Sequence, residues 1–350
     1  MSGTPARTDA DATADVVCLG ESMVTFLPSQ PGRLADVPSF GRGIGGAESN
    51  VACALAAAGH RAAWVSRVGA DGFGDHLVDA ISAYGVDTSA VRRDPARPTG
   101  IYFRTATDRG TDVHEVAYYR AGSAASAMSP SNVPYEALFA GRVMHLSGIT
   151  AALSADCLAL LHELTAPRPG RPLVSFDVNH RPGLWRGADA SPGVLLDLAR
   201  RADLVFVGED EAEEAWGVKG ADAIREALPE PAVVVVKRGA EGATVFSGGP
   251  DLTDTVTDVP ALRVDVVAPV GAGDAFAAGF LSATLRGLPV RDRARHGHLM
   301  AAAVLTVPGD LTDPPARDRA DLLVALDDAA WGRLRLGPGW TGDDTEVRTT

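Results

Sequence analysis

The chain has 350 residues, of which 46% are hydrophobic and 22% are charged, a composition typical of a globular protein. Its net charge of −13 argues against a broad nucleic-acid surface, and its apolar runs are far shorter than the ~20 residues of a membrane span. The 3 cysteines are scattered without a C-x-x-C spacing, which argues against a disulfide framework or a zinc site.

The N-terminal segment 1–14 is polar and lacks the apolar core of a signal peptide, so we expect a disordered leader on a cytoplasmic protein. Short apolar runs and helix-like stretches then alternate along the chain. The predicted strands are 15–20, 62–69, 142–147, 172–178, 203–207, 232–237 and 243–247, and the predicted helices are 47–59, 73–85, 154–165, 193–201 and 209–216. This alternation predicts an α/β domain over 15–335, with a mostly parallel sheet that binds ligands at the carboxyl ends of its strands.

Two segments, about 24–44 and 98–120, interrupt the alternation because they look extended and no helix follows either of them. We interpret them as a small separate sheet that forms a lid over a site. Such a sheet tends to pair along an edge or bury a face, so we expect it to join copies of the chain in a homo-oligomer. The last residues, 336–350, are predicted to be a disordered tail.

One Gly-rich turn lies in the stretch VAPVGAGDAFAAGF, residues 267–280, where Gly271, Ala272 and Gly273 precede a predicted buried helix and Asp274 is the only acid. Unpaired N–H groups at a helix start attract anions, and small residues let a phosphate approach them. Asp274 would then lie close enough to accept a proton from an attacking hydroxyl. The alternative is a tight turn in which Asp274 only caps the helix.

A second Gly-rich stretch, 43–59, also brings glycines to a predicted helix start, with Asn50 in its first turns. Close packing of the helix on the sheet is the alternative explanation of these small residues. The letters GRGIGG match the bare pattern of a dinucleotide site, but no apolar strand precedes them, which disfavours a nicotinamide site. The G-x-x-x-x-G-K-[ST] pattern of P-loop enzymes is absent from the sequence.

Together these stretches, GGAESNVACALAAAG and PVGAGDAFAAGF, resemble the paired signatures of the ribokinase-like (PfkB-type) carbohydrate kinases over roughly residues 15–330. The resemblance implies a ribokinase-like three-layer α/β/α core with a small β-sheet lid, and ATP and Mg²⁺ as cofactors. It also implies that Asp274 is the catalytic base and that Gly271, Ala272 and Gly273 form the anion hole for the transferred phosphoryl group.

Two further stretches resemble nucleotide and metal motifs of that family. The letters VVVVKRGAEGATVF imply that Lys237, Gly239 and Gly242 lie near ATP, together with Gly271 and Gly273; a simple β-hairpin is the alternative. The letters VFVGEDEAEEAWG resemble an Asn-x-x-Glu motif and imply that Glu211 organises the metal through water, although Gly208 replaces the usual Asn. A solvated acidic face is the alternative for Glu211.

Ahead of the Gly-rich turn, Ala268 and Pro269 replace the Asp-Thr pair of many family members. The Asp of that pair is linked in some members to a monovalent cation. Dependence on a monovalent cation therefore stays open.

Several stretches, among them GESMVTFLP, PTGIYFR, YYRAGSA and FDVNHRPGLW, resemble the 2-keto-3-deoxygluconate kinases of that family. The resemblance implies transfer of the γ-phosphate of ATP to the 6-hydroxyl of that sugar acid. The implied substrate-binding residues are Gly46, Asn50, Tyr102, Tyr118, Arg120, Arg181 and Asp310. Among these, Arg120 and Arg181 suit a carboxylate because a guanidinium offers two parallel donors.

Other interpretations stay open at this point. A related kinase of a neutral sugar, such as fructose or ribose, would leave Arg120 and Arg181 without a partner, and the galacto epimer of the sugar acid is also compatible. A nucleoside kinase would need a more apolar, aromatic pocket, and a sugar-binding regulatory protein would not need an intact Asp274. Tyr118 is alternatively a sheet-face aromatic, Arg181 a loop ion-pair partner and Asp310 a turn residue.

Overall fold

The structure, a computed structural model, describes residues 12–30, 32–105, 115–185, 192–248 and 255–342. Its strands, numbered in chain order, are β1 (Ala14–Leu19), β2 (Met23–Pro28), β3 (Phe40–Gly45), β4 (Ala62–Val65), β5 (Arg67–Gly69), β6 (Arg92–Asp94), β7 (Ile101–Arg104), β8 (Val116–Tyr119), β9 (Gly141–Ser147), β10 (Leu173–Asp177), β11 (Leu204–Gly208), β12 (Val233–Lys237), β13 (Ala243–Ser247), β14 (Thr255–Val259), β15 (Arg263–Val264) and β16 (Arg335–Leu336). Its helices are α1 (Ala47–Ala57), α2 (Gly72–Ala83), α3 (Tyr135–Leu138), α4 (Gly148–Ala151), α5 (Ala155–Thr165), α6 (Pro182–Trp185), α7 (Val194–Arg200), α8 (Glu209–Trp216), α9 (Ala221–Ala227), α10 (Ala272–Leu285), α11 (Val290–Leu305), α12 (Arg317–Val324) and α13 (Asp328–Arg333).

The central sheet has eight strands in the order β14-β13-β12-β11-β10-β9-β1-β4. The strands from β12 to β4 are parallel, and β13 and β14 continue the sheet antiparallel. Both faces are apolar: Val16 and Cys18 of β1 lie in one core, and Val17 and Leu19 lie in the other. A parallel sheet buried on both faces has this pattern, and the predicted three-layer α/β/α core is confirmed.

The predicted lid segments form a second sheet of four strands in the order β3-β2-β7-β8. Residues 106–114 of the second segment lie outside the described residues. Alternation along β7 turns Tyr102 and Arg104 toward one face, whereas Phe103 lies on the other and stacks on Phe26 with ring centroids 4.7 Å apart. The lid therefore has one polar face and one aromatic face.

Part of each segment that was predicted to be disordered makes ordered contacts in the structure. Residues 1–11 and 343–350 lie outside the described residues, but Ala14 already pairs with Gly141 in the central sheet. At the other end, Leu336 pairs with Val264, and Trp340 is only 2% exposed. These two apolar side chains belong to the same core as Val16 and Cys18 of β1, which explains why the chain stays ordered past residue 336.

Across the described ranges, no helix combines the length and apolarity needed to cross a membrane.

Helix α10 carries Asp274 and packs closely against α11. Phe206 of the sheet meets the rings of Phe276 and Phe280 edge to face, which holds α10 on the central sheet. On its other side, a Cβ added at Gly279 would lie 2.4 Å from the carbonyl oxygen of His296 in α11. The two helices can approach this closely only because position 279 has no side chain.

We therefore expect Gly279→Ala to lower the free energy of unfolding by about 1–3 kcal/mol, because the added methyl group forces the helices apart. Gly72→Ala at the start of α2 is the matched control, since a Cβ there meets nothing within 4 Å. Urea denaturation of both variants tests this. An unchanged or higher stability of Gly279→Ala would contradict the close packing of α10 on α11.

Candidate active site

The predicted Gly-rich turn lies at the start of α10. Gly271 precedes the helix with φ of 75°, in the left-handed region that favours glycine. A Cβ there would also lie 2.6 Å from the carbonyl oxygen of Asp310. The turn leaves the first N–H groups of α10, including those of Ala272 and Gly273, without intrahelical partners, so the helix start can bind an anion.

Asp274 lies in the first turn of α10, half-buried, and is held from a second helix start. Asn50 Nδ2 in α1 donates a hydrogen bond to Asp274 Oδ2 at 2.9 Å. Burial raises the pKa of Asp274 to about 7; the hydrogen bond from Asn50 opposes this shift and the nearby charge of Asp177 adds to it. A carboxylate with a pKa near neutrality is suited to accept a proton.

A cavity of about 620 Å³ lies between these helix starts and the polar face of the lid. Its wall contains every residue that the sequence predicted to bind substrate: Gly46, Asn50, Tyr102, Tyr118, Arg120, Arg181 and Asp310. Gly271 and Asp274 line the same cavity, and so do Arg104 and Asn179, which the sequence analysis missed. We call this space the sugar-side cavity. The structure brings the predicted residues together, and their individual roles stay predictions.

Arg120 is held in this wall by an acid outside the predicted set. Glu21, which follows β1 and is 2% exposed, accepts a hydrogen bond from Arg120 Nε at 2.7 Å and another from Ser123 Oγ at 2.5 Å. Arg120 Nη2 also contacts Glu21. The guanidinium lies 5.9 Å from the ring centre of Tyr118. Glu21 therefore fixes where Arg120 points.

Arg181 follows the end of β10 and lines the same cavity. Its Nη1 donates to Glu211 Oε1 at 3.2 Å and to the carbonyl oxygen of His180 at 2.9 Å. The side chain is 53% exposed, so its other donors can reach a bound molecule. The neighbouring Asn179 has the positive φ of 39°, which holds the chain in a sharp bend before Arg181.

A second cavity of about 820 Å³ lies on the other side of the turn, and we call it the nucleotide-side cavity. Lys237, Gly239, Gly242 and Gly273 line it, as the resemblance implied, and Ala272 does so as well. Gly271, which was predicted for both sides, lines only the sugar-side cavity, because its left-handed backbone turns it toward Asp310. The start of α10 therefore separates the two cavities.

Lys237 is paired with two carboxylates at the edge of the nucleotide-side cavity. Its Nζ contacts both oxygens of Asp177 at 3.0 Å and lies 4.0 Å from Glu211 Oε2. Burial raises the pKa of Asp177 although Lys237 opposes the shift, whereas Lys237 and Arg181 outweigh burial and lower the pKa of Glu211. Asp177 was missed, although an acid that ends a buried parallel strand is a typical position for a ligand contact.

Glu211 also has a structural role, because its Oε2 accepts a hydrogen bond from the N–H of Gly208 at the start of α8. Within the described part of the chain, no cluster of three His, Cys, Asp or Glu side chains could enclose a metal ion. A metal in this site would therefore depend on a bound phosphate and water as well as on Asp177 and Glu211. The predicted role of Glu211 in metal binding stays a prediction.

Comparisons with known proteins give a consistent result over most of the chain. Residues 13–317 match the model of the pfkB family carbohydrate kinases. The chain is 36% identical over 310 residues to 2-dehydro-3-deoxygluconokinase of Bacillus subtilis (strain 168), covering 87% of this chain and 94% of that protein. It is 34% identical over 322 residues to the protein of the same name from Thermoproteus tenax, covering 91% and 96%. Probable fructokinase-6 of Arabidopsis thaliana is 30% identical over 298 residues, covering 82% and 75%.

Solved structures agree with these matches. A PfkB protein from Polaromonas sp. JS666 is 34% identical, with a TM-score of 0.75 and coverage of 88% of this chain and 99% of that one. A sugar kinase from Pyrococcus horikoshii in complex with ATP is 26% identical, with a TM-score of 0.74 and coverage of 87% and 96%. In both cases the similarity extends over most of the chain.

We expect the Asp274 carboxyl to titrate near pH 7, because burial favours its neutral form below that pH. Asn50→Ala removes a donor to the carboxylate and should raise this pKa further, whereas Asn132→Ala, in a turn outside both cavities, should leave it unchanged. The pKa is measurable as the difference in bound protons between each protein and its Asp274→Asn counterpart. A difference that titrates near pH 4 would contradict the burial of this carboxyl.

Proposed function

Because this chain belongs to the pfkB family of carbohydrate kinases, we propose that it transfers the γ-phosphate of ATP to the 6-hydroxyl of 2-keto-3-deoxygluconate, giving 2-keto-3-deoxy-6-phosphogluconate and ADP. One observation carries the proposal: the start of α10 separates an arginine-lined cavity from a second cavity lined by Lys237. The names of the relatives from Bacillus subtilis and Thermoproteus tenax support the same sugar acid. We expect the reaction to occur in the cytoplasm, where ATP is supplied.

The proposed transfer takes place across the start of α10. A sugar hydroxyl bound against Asp274 attacks the γ-phosphorus, the bond to the bridging oxygen of ADP breaks, and the hydroxyl proton passes to an Asp274 oxygen. The N–H groups at the start of α10 and the ammonium of Lys237 stabilise the charge on the transferred group. The raised pKa of Asp274 supports this assignment, because a stronger acid would be a poorer base.

Magnesium is the expected partner of the nucleotide, and the donor set beside Lys237 fits it. Mg²⁺ prefers one or two carboxylates together with substrate phosphates and water rather than a closed protein cage. Asp177 and Glu211 have carboxylate oxygens 3.0 and 4.0 Å from Lys237 Nζ, and they would hold the ion, Glu211 through water. When bound, the ion neutralises charge on the phosphates.

Both predicted arginines of the sugar-side cavity are already paired with acids of the protein, so the expectation that a neutral sugar would leave them without a partner was wrong. Their remaining donors still favour an acid over a neutral sugar. Arg120 is oriented by Glu21, and Arg181 keeps donors exposed to the cavity, so the two can share a carboxylate. A kinase of a neutral sugar, fructokinase-like or ribokinase-like, is the second candidate, because fructokinases are also among the relatives. The galacto epimer of the sugar acid retains the carboxylate and is an expected alternative substrate.

The proposal predicts that ADP release from ATP and Mg²⁺ occurs with 2-keto-3-deoxygluconate or its galacto epimer, and not with fructose, ribose or adenosine. Asp274→Asn should lower kcat by about 10²–10⁴-fold while ATP binding persists, because only the proton acceptor is removed. A coupled ADP assay measures turnover, calorimetry measures ATP binding, and phosphorus NMR of the product identifies the phosphorylated hydroxyl. Turnover confined to fructose or ribose would instead support the second candidate.

Arg181→Ala is the variant that links this selectivity to the carboxylate. The KM for the sugar acid should rise roughly tenfold or more while the KM for ATP stays unchanged, because a charged donor to the carboxylate is lost. Arg168→Ala is a matched control, since Arg168 lies outside both cavities. Equal increases in both KM values would contradict the assignment of Arg181 to the sugar acid.

The aromatic face of the lid supports the proposed homo-oligomer. Phe103 contacts Phe26, Phe40 and Tyr119 there, and Tyr119 is 64% exposed. A second copy would cover this apolar surface. We expect sedimentation at micromolar concentration to detect an oligomer that Tyr119→Lys dissociates. A wild-type protein that sediments only as a monomer would contradict this.

A further inference from the structure

Arg104 lies in the wall of the sugar-side cavity. It is the last residue of the stretch PTGIYFR, but the sequence analysis gave it no role. It is the last residue of β7 and faces the same side of the lid as Tyr102. Its side chain is 5% exposed, and its Nη2 donates to Asp310 Oδ1 at 2.7 Å. The hydroxyl of Tyr102 donates to the other oxygen, Oδ2, at 3.3 Å. One strand of the lid therefore binds both carboxylate oxygens of Asp310.

Two glycines allow this strand and the catalytic turn to meet at Asp310. A Cβ added at Gly271 would lie 2.6 Å from the carbonyl oxygen of Asp310. A Cβ added at Gly45 would lie 2.4 Å from the Tyr102 hydroxyl and 3.1 Å from Asp310 Oδ2. Asp310 is thus in direct contact with the lid on one side and with the start of α10 on the other.

The positive charge of Arg104 stabilises the ionised form of the buried Asp310 carboxylate. Burial raises the pKa of Asp310, and Arg104 together with Tyr102 opposes that shift. The other arginines of the cavity are bonded elsewhere, Arg120 to Glu21 and Arg181 to Glu211. A buried carboxylate left without its cation is strongly disfavoured. Arg104 is therefore the cation that compensates Asp310.

We propose that Arg104 is a positioning residue: it holds the Asp310 carboxylate charged and aimed at the sugar, ties the lid to the catalytic turn, and does not itself bind the carboxylate of the substrate. This inference rests on the proposed function and on the prediction that Asp310, which lines the sugar-side cavity, binds the sugar. It assigns the three arginines different tasks. Arg120 and Arg181 bind the carboxylate of the substrate, whereas Arg104 acts through Asp310.

A double-mutant cycle of Arg104→Met and Asp310→Asn tests the proposal. Each single variant should raise the KM for the sugar on the order of 10- to 100-fold, with the KM for ATP changed by less than about twofold. The double variant should have the same sugar KM as Asp310→Asn, because Arg104 acts only through Asp310. If the factors by which the two single variants raise the sugar KM multiply in the double variant, the proposal is overturned.

The conservative and control variants separate this role from a general effect on the fold. Arg104→Lys keeps the charge and should retain a lower sugar KM than Arg104→Met. Arg42→Met, on the exposed strand β3 of the same lid, should leave both KM values unchanged. If Arg104→Met does not fold, the double variant still completes the test, because it contains no uncompensated buried charge. A double variant with a sugar KM well above that of Asp310→Asn would overturn the proposal.

A neutral analogue distinguishes positioning from direct binding of the carboxylate. The inhibition constant of 3-deoxyfructose, which has a hydroxymethyl group in place of the carboxylate, should rise by the same factor in Arg104→Met as the KM for the sugar acid. A rise confined to the acid would show that Arg104 binds the carboxylate. If wild-type enzyme phosphorylates another sugar instead, the same cycle is measured with that sugar, so failure of the proposed substrate and failure of this inference give different results.

Discussion

The hydrogen bond from Asn50 to Asp274 joins the first turns of α1 and α10, and both cavities are arranged around it. The two residues are 224 positions apart, so the bond forms only when both helices are packed on the same edge of the sheet. The glycines before the two helices allow other close contacts, since a Cβ at Gly46 would lie 2.4 Å from the carbonyl oxygen of Glu21 and one at Gly271 would lie 2.6 Å from that of Asp310. Burial makes Asp274 a better base, and Asn50 limits how far its pKa rises. The pKa of Asp274 is set by the balance between burial and this hydrogen bond.

Four cations described above, Arg120, Arg181, Arg104 and Lys237, are each paired with an acid. Arg120 is paired with Glu21, Arg181 with Glu211, Arg104 with Asp310 and Lys237 with Asp177. Such pairs are costly to bury, and replacing them with apolar residues would often be neutral for stability. Their value here is geometric. Three acids fix the directions of their cations, whereas Arg104 fixes the direction of the Asp310 carboxylate. A chain with a net charge of −13 can in this way present local positive groups to anionic molecules.

Much of the site could be predicted because helix starts and strand ends are local features. The Gly-rich turn, the lid segments and Lys237 were found from short motifs and apolar periodicity. Glu21, Arg104 and Asp177 lie inside stretches that resemble the family, but none was included among the predicted site residues, because each acts through a partner far away in the chain. Glu21 and Arg120 are 99 residues apart, Arg104 and Asp310 are 206 apart, and Asp177 and Lys237 are 60 apart. No local pattern marks such a pair.

By itself, the sequence determined the α/β class, the alternation of strands and helices and the two Gly-rich helix starts, since these follow from periodicity and backbone freedom within a few residues. It also pointed to a sugar-acid kinase through its motifs. Only the tertiary structure decided that Gly271 faces the sugar side alone, that Leu336 and Trp340 are ordered, and which acid orients each cation. These outcomes depend on contacts between distant segments, and those contacts exist only when the segments pack together.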